Sequence, residues 1–365
     1  MRLCWRTIAL PLREPLRIAR GAMATRDAVQ VALRAEPDGS EAGYGEVVTS
    51  RYLQLSQERI TAELATLAPR LADYDAPEPL LADLTALAEQ QRLSAGVLAA
   101  VDAAGHDLVG RRRGVPLHRL IGQPRWSPVR TCRTIGLGSA AAAEATTREL
   151  VAQGFTDLKV KLGADDPALD QARLAAVRAA APTARLLLDP NAAWSPEQAV
   201  RLLEQLANYR YEAVEQPVPA GDAAALAWVA ARCPAPVIAD EDARSAADVP
   251  RLAGAVAGVN IKLAECGGVT AARQLADAAH RVGLAVMLGC QVASSLGIAP
   301  AVHLTGLARW VDLDGHLLLA ADPWTGIGGG DGWLRLSGAP GLGVRPVAGH
   351  GAAEAAAPAQ PGHRP

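Results

Sequence analysis

Long apolar runs, paired cysteines and a surplus of charge of either sign are all missing from this chain of 365 residues. No uninterrupted apolar stretch reaches the roughly 18 residues that cross a bilayer, so no membrane partner is expected. Lys and Arg (36) nearly balance Asp and Glu (38), leaving a formal charge of −2. No long basic run supplies a footprint for nucleic acid or an anionic surface. The cysteines, Cys4, Cys132, Cys233, Cys266 and Cys290, are odd in number, scattered and without a CxxC pair. That argues against a disulfide framework or zinc site and for a reducing, cytoplasmic setting. The N-terminal MRLCWRTIALPLREPLRIARG is interrupted by Pro11 and several arginines, which does not suit a secretion signal. HExxH, GxSxG and Walker motifs are absent as well, removing the commonest signatures of zinc proteases, serine hydrolases and nucleotide-binding loops.

What remains is a hydrophobic half, enough for a sizeable core. Residues 1 to 55 read as strands and turns, with GYGEVV at 43–48 as a strand near a turn. From 56 to 122 the apolar residues recur at helical spacing. Beyond them a repeat sets in. Short apolar runs end at CRTIGLG, DLKVKLG, ARLLLDPN, YEAVEQPV, APVIADED, GVNIKLAE, LAVMLGCQ and RWVDLDG, roughly every 25 residues. Ala/Leu/Arg-rich helical stretches separate them, one opening with the capping sequence Ser195-Pro196-Glu197-Gln198. Eight strand–helix units favour a closed parallel barrel; a doubly wound open sheet is the competitor. TGIGGGDG at 325–332 reads as a flexible connection ahead of a phosphate cradle, because no helix follows it. His106, His118, His280, His303 and His316 read as surface or packing histidines.

The charges sit where parallel strands should be apolar. Lys159 and Lys161, Asp189, Glu215, Asp240, Lys262, then Asp312 and Asp314 end successive strands. In a barrel those ends converge on one mouth. Asp189, Glu215 and Asp240 on three adjacent strands make a hard oxygen cage suited to Mg²⁺; salt bridges to nearby Arg or Lys are the bland alternative. Lys161 lies on the strand before them and Lys262 on the strand after, so two amines flank the cation. One can remove a proton and the other return it, provided each is neutral when it acts as base. Lys159 shares a strand face with Lys161 and disfavours its charged form. Schiff-base chemistry remains a second use for a barrel lysine. Asp312 and Asp314 suit an ammonium group, or equally a capping or surface pair. Cys290 lies at a strand end, as a pocket residue or a small buried one.

In these residues the chain resembles the enolase superfamily, muconate-lactonizing subgroup, and within it the dipeptide epimerases. The motifs are PLREPLRIARG and GYGEVV, D-x-x-x-x-D-L-x-G at Asp102–Gly110, PLHRLIG, KVK at 159–161, LDPN, VEQPV, ADE, NIKL followed by GG, and Asp312-Leu313-Asp314. The resemblance implies a (β/α)8-type, modified TIM barrel over 126–324 with an N-terminal α+β capping domain over 1–125, joined by about 325–346, and a disordered tail at 347–365. It implies Lys161 and Lys262 as the acid/base pair and one Mg²⁺ per subunit on Asp189, Glu215 and Asp240. It implies that Asp312 and Asp314 hold a substrate ammonium and that Thr134, Lys159 and Cys290 touch substrate. L-Ala-D/L-Glu epimerisation in murein peptide recycling is then the leading activity, in a homo-oligomer. An N-acyl amino acid racemase, an o-succinylbenzoate synthase or a cycloisomerase is the alternative within the superfamily, and a non-catalytic binding barrel lies outside it. Pro190 and Glu265 depart from the pattern: a small residue is usual at the first and a lysine is frequent at the second. Arg20, in a loop that contributes to side-chain selectivity in relatives, is the candidate partner for a substrate glutamate.

Overall fold

The computed structural model describes residues 1–35 and 41–349, so the tail expected at 347–365 lies, beyond residue 349, outside the described residues. Arg2–Ile18, Gly21–Arg34 and Ala42–Val48 form an antiparallel sheet in chain order. Three helices, Gln57–Leu71, Pro77–Gln91 and Ala95–Arg113, pack with it. Val29, Val31 and Leu33, alternate residues of one strand, meet Leu64 and Leu108 of the helices in one apolar cluster. The two glycines of GYGEVV have a mechanical reason. A Cβ on Gly43 would lie 2.0 Å from the Ala104 carbonyl oxygen, and one on Gly45 2.0 Å from that of Ala100. The strand therefore reaches its helix at backbone distance, which only glycine permits.

Eight parallel strands follow, spatially ordered as in the chain. They are Arg133–Ile135, Asp157–Lys161, Arg185–Asp189, Ala213–Glu215, Val237–Ala239, Gly258–Ile261, Ala285–Gly289 and Trp310–Asp312. The Cys132 N–H donates to the Val311 carbonyl at 2.9 Å, so first and last strands meet and the open-sheet alternative falls away. Outward residues such as Leu158, Val160, Leu186, Leu188 and Val259 join the helix-facing core. Inward ones, among them Cys132, Leu187, Met287 and Trp310, plug the ring. The helix Pro196–Leu206 carries the capping box read from sequence: Gln198 N–H donates to Ser195 Oγ at 3.2 Å and Ser195 N–H to Gln198 Oε1 at 2.9 Å.

Three buried carboxylates fasten the N-terminal unit to the barrel and to the segment that follows it. Asp102 accepts from Val269 N–H at 2.7 Å and the Thr270 hydroxyl at 2.8 Å. Asp107 accepts from Tyr44 N–H at 3.0 Å and Leu342 N–H at 2.7 Å. Glu46 accepts from Ser294 N–H at 2.7 Å and its hydroxyl at 2.5 Å. The segment after the last strand closes the floor: Trp333–Leu334 pairs with Val129–Arg130, and Trp324–Thr325 with Arg345–Pro346. TGIGGGDG is a hydrogen-bonded turn rather than a flexible connection. Gly326, Gly328, Gly329 and Gly332 all take positive φ, and Gly332 N–H closes on the Gly329 carbonyl at 2.9 Å.

Candidate active site

The mouth of the barrel collects the polar strand ends. Lys161 and Asp189 close the second and third strands in register. Glu215 ends the fourth, Asp240 follows the fifth, and Lys262 follows the sixth. Lys159 stands in the middle, only 2% exposed. Its Nζ lies 3.0 Å from Asp189 Oδ2, 2.5 Å from Glu215 Oε2 and 2.7 Å from Asp312 Oδ2. Lys161 Nζ contacts Asp189 Oδ2 at 2.5 Å. Lys262 Nζ contacts Asp240 Oδ2 at 2.5 Å and lies 4.0 Å from Glu215 Oε1. The two flanking amines thus attach to the two outer carboxylates of the row, with Glu215 between them.

Burial makes this cluster electrostatically tense. Burial and the neighbouring Asp189 and Asp240 push Glu215 up. Burial, with Glu241 and Glu265, pushes Asp240 up to about 6. Asp312 reaches about 6 through burial, Asp314 and Glu215. Burial works against Asp189 too, yet Lys159 and Lys161 outweigh it and hold that carboxyl well below its usual range. Burial draws Lys159 and Lys262 down, but the surrounding carboxylates win and leave both above the ordinary lysine range. Lys262 is thus held protonated while Asp240, Glu265 and Glu215 face it directly.

The donor set fits a hard divalent cation. Four buried carboxylates, Asp189, Glu215, Asp240 and Asp312, face three lysines. Asn191 Oδ1 is buried and accepts no hydrogen bond, and Glu215 Oε2 has only its ion contact with Lys159. Among the described residues no three ligand groups already surround one point. The geometry explains why: ammonium groups stand between the oxygens. A cation shared by Asp189, Glu215 and Asp240 would take over the charge balance that now holds Lys262 protonated.

Above the cluster lies a cavity of about 870 Å³ whose wall includes Thr134, Lys159, Lys161, Lys262, Cys290, Asp312 and Asp314, together with Arg20, Met23 and Tyr52 of the N-terminal unit. All ten residues picked from the sequence are thus at this mouth, the three ligand candidates set beneath the wall. Asp312 and Asp314 part company in their partners. Asp312 is tied to Lys159, whereas Asp314 accepts from the Thr134 N–H at 2.7 Å and Arg133 at 3.1 Å. Burial, with Asp312 and Asp314, pushes the Cys290 thiol far up, so it is a neutral wall group rather than a nucleophile. Arg20 pairs with Glu241 of the barrel. Several supporting residues escaped the sequence reading. Asn260 donates to Glu215 Oε1 at 2.9 Å, and Gln216 Oε1 accepts from the Asp240 N–H at 2.9 Å. Asn260 was findable, two positions before Lys262 on the same strand face; Gln216 and Arg133 carry no comparable signal.

Comparison with known proteins agrees with this geometry. Residues 3–122 match the family model described as mandelate racemase/muconate lactonizing enzyme, N-terminal domain, and residues 141–348 match the enolase C-terminal domain-like model. The chain is similar to the L-Ala-D/L-Glu epimerase of Bacteroides thetaiotaomicron, 31% identical over 93% of this chain and 86% of that protein. It is also similar to the L-Ala-D/L-Glu epimerase of Escherichia coli, 34% identical over 86% of this chain and 93% of that one. Among solved structures, the dipeptide epimerase of Enterococcus faecalis complexed with Mg and L-Leu-L-Tyr superposes with a TM-score of 0.85 at 29% identity, covering 94% of this chain and 98% of that one.

Proposed function

The chain belongs to the mandelate racemase/muconate lactonizing enzyme family of the enolase superfamily, and on that premise we propose that it is an Mg²⁺-dependent dipeptide epimerase, with L-Ala-D/L-Glu as its leading substrate. The observation that carries the reading is the placement of Lys161 and Lys262 on opposite flanks of the Asp189–Glu215–Asp240 row. Asp189, Glu215 and Asp240 would hold the Mg²⁺, which would supply charge stabilisation for the substrate carboxylate. Lys161 and Lys262 face opposite sides of the α-carbon of the C-terminal residue. One takes its proton and the other returns a proton to the far face, so the configuration inverts with no net change in atoms. Lys159, locked among three carboxylates, is a fixed cation beneath the reacting centre. Asp312 and Asp314 receive the amino group. Asp314 is oriented for this by Arg133 and the Thr134 N–H.

The proposal extends to a cap of residues 1–125 and about 325–346 over a barrel of 126–324, and to a homo-oligomer acting in the cytoplasm. No helix among the described residues is long and apolar enough to cross a membrane. The test is a panel of L,L- and L,D-dipeptides incubated with enzyme and Mg²⁺ in D₂O. Deuterium should enter at the α-carbon of the C-terminal residue of at least one dipeptide, L-Ala-L-Glu first, and EDTA should stop it. A panel without metal-dependent exchange refutes the assignment.

A further inference from the structure

Arg20 occupies the tip of the hairpin that joins Arg2–Ile18 to Gly21–Arg34, and its guanidinium is already engaged twice. It forms an ion pair with Glu241, a side chain only 3% exposed, on the loop after the fifth barrel strand. Its central carbon also lies 4.4 Å from the centroid of the Tyr52 ring. Tyr52 belongs to the loop after the third N-terminal strand. The same ring is approached by Arg244 of the barrel at 5.0 Å, and the Arg244 guanidinium donates to the Tyr52 hydroxyl. Three separate segments thus meet at one rim of the cavity, whose wall includes Arg20, Met23 and Tyr52. Three residues before Arg20, next to the turn, a backbone bond from Leu137 N–H to the Arg17 carbonyl, at 2.8 Å, also joins the hairpin to the barrel.

We propose that Arg20 is a positioning residue. By pairing with Glu241 and stacking on Tyr52 it fastens the hairpin at 18–27 over the mouth, and it is not the group that reads the dipeptide's side chain. A substrate carboxylate that took the Arg20 guanidinium would strip Glu241 of its partner. Glu241 is buried beside Asp240, and an unpaired buried carboxylate is costly. Burial disfavours the charged guanidinium, but Glu241, with Asp240 and Asp189 behind it, more than compensates. The guanidinium also lies over the electron-rich face of Tyr52, which attracts the cation and favours the same position. Selection by charge at this site therefore does not pass through Arg20, and its effect on turnover comes through the position of the hairpin.

The inference rests on the dipeptide-epimerase reading for its kinetic arm and on the fold alone for its second arm. Arg20→Gln and Tyr52→Leu are assayed with L-Ala-L-Glu and L-Ala-L-Gln, and amide hydrogen exchange is followed over residues 18–27. Each variant should raise KM by about tenfold, by the same factor for both dipeptides, and change kcat by less than about threefold. Hairpin exchange should accelerate about tenfold in both variants, as expected when a local tie is cut. A loss in Arg20→Gln confined to L-Ala-L-Glu makes Arg20 a side-chain reader and overturns the proposal; so does hairpin exchange that stays at the wild-type rate. If the wild type turns over neither dipeptide, the exchange arm still decides whether the latch exists.

Discussion

His303 shows how one buried ring couples the fold to pH. It is fully buried; its Nε2–H donates to the Leu342 carbonyl at 3.1 Å, and its Nδ1 accepts the His118 backbone N–H at 3.2 Å. A proton on Nδ1 would face that N–H, and burial pushes the ring down to about 4. The unfolded chain takes up this proton near pH 6.5, so between 6.5 and 4 the unfolded state binds more protons. Stability from His303 is whole above about 6.5 and lost as pH falls through 4, a change of up to about 3 kcal/mol. Urea unfolding at pH 7 and pH 5 should show a larger loss for wild type than for His303→Gln; equal losses would refute this. From sequence His303 was one packing histidine among several, because its partners stand 39 and 185 residues away. The same distance hid the surroundings of Lys159. Sequence placed it beside Lys161, and only the closed ring brings Asp312 to its other side.

Secondary-structure elements carry the local signals most faithfully. The strand–helix period and the Ser195 capping box depend on residues within one turn or one repeat, and both were legible. The glycine turn at 325–332 was not. Its bonds to the Trp333–Arg335 stretch are set by the floor it packs against, which composition does not encode. GYGEVV was read as a strand, but the helix it touches was invisible. Gly45→Ala places a methyl against the Ala100 carbonyl at 2.0 Å and forces strand and helix apart. The expected cost is about 3 kcal/mol or more, toward the upper end of overpacking effects because the obstacle is backbone. Denaturant melts should show it, and a variant within about 0.5 kcal/mol of wild type would mean the strand moves freely.

At the scale of the molecule, buried Asp102 and Glu46 accept from N–H donors of the barrel, and Asp107 accepts from one in the segment that follows the barrel. Sequence showed the D-x-x-x-x-D motif without showing what it grips. The barrel mouth carries an anionic excess that a divalent cation relieves, so Mg²⁺ should stabilise the folded chain. At a hundred times its dissociation constant the gain is about 2.7 kcal/mol. Asp189→Asn should lose most of that gain in a thermal melt; an undiminished rise in the variant would place the ion elsewhere.

The two-amine arrangement across the carboxylate row is tested most directly by single-lysine variants in D₂O with each diastereomer of an accepted dipeptide. Lys161→Ala and Lys262→Ala should both fail to epimerise. Each should retain deuterium exchange for only one diastereomer, and the two variants should retain opposite ones. Epimerisation at the wild-type rate in either variant, or retention of the same diastereomer by both, would contradict two bases on opposite faces.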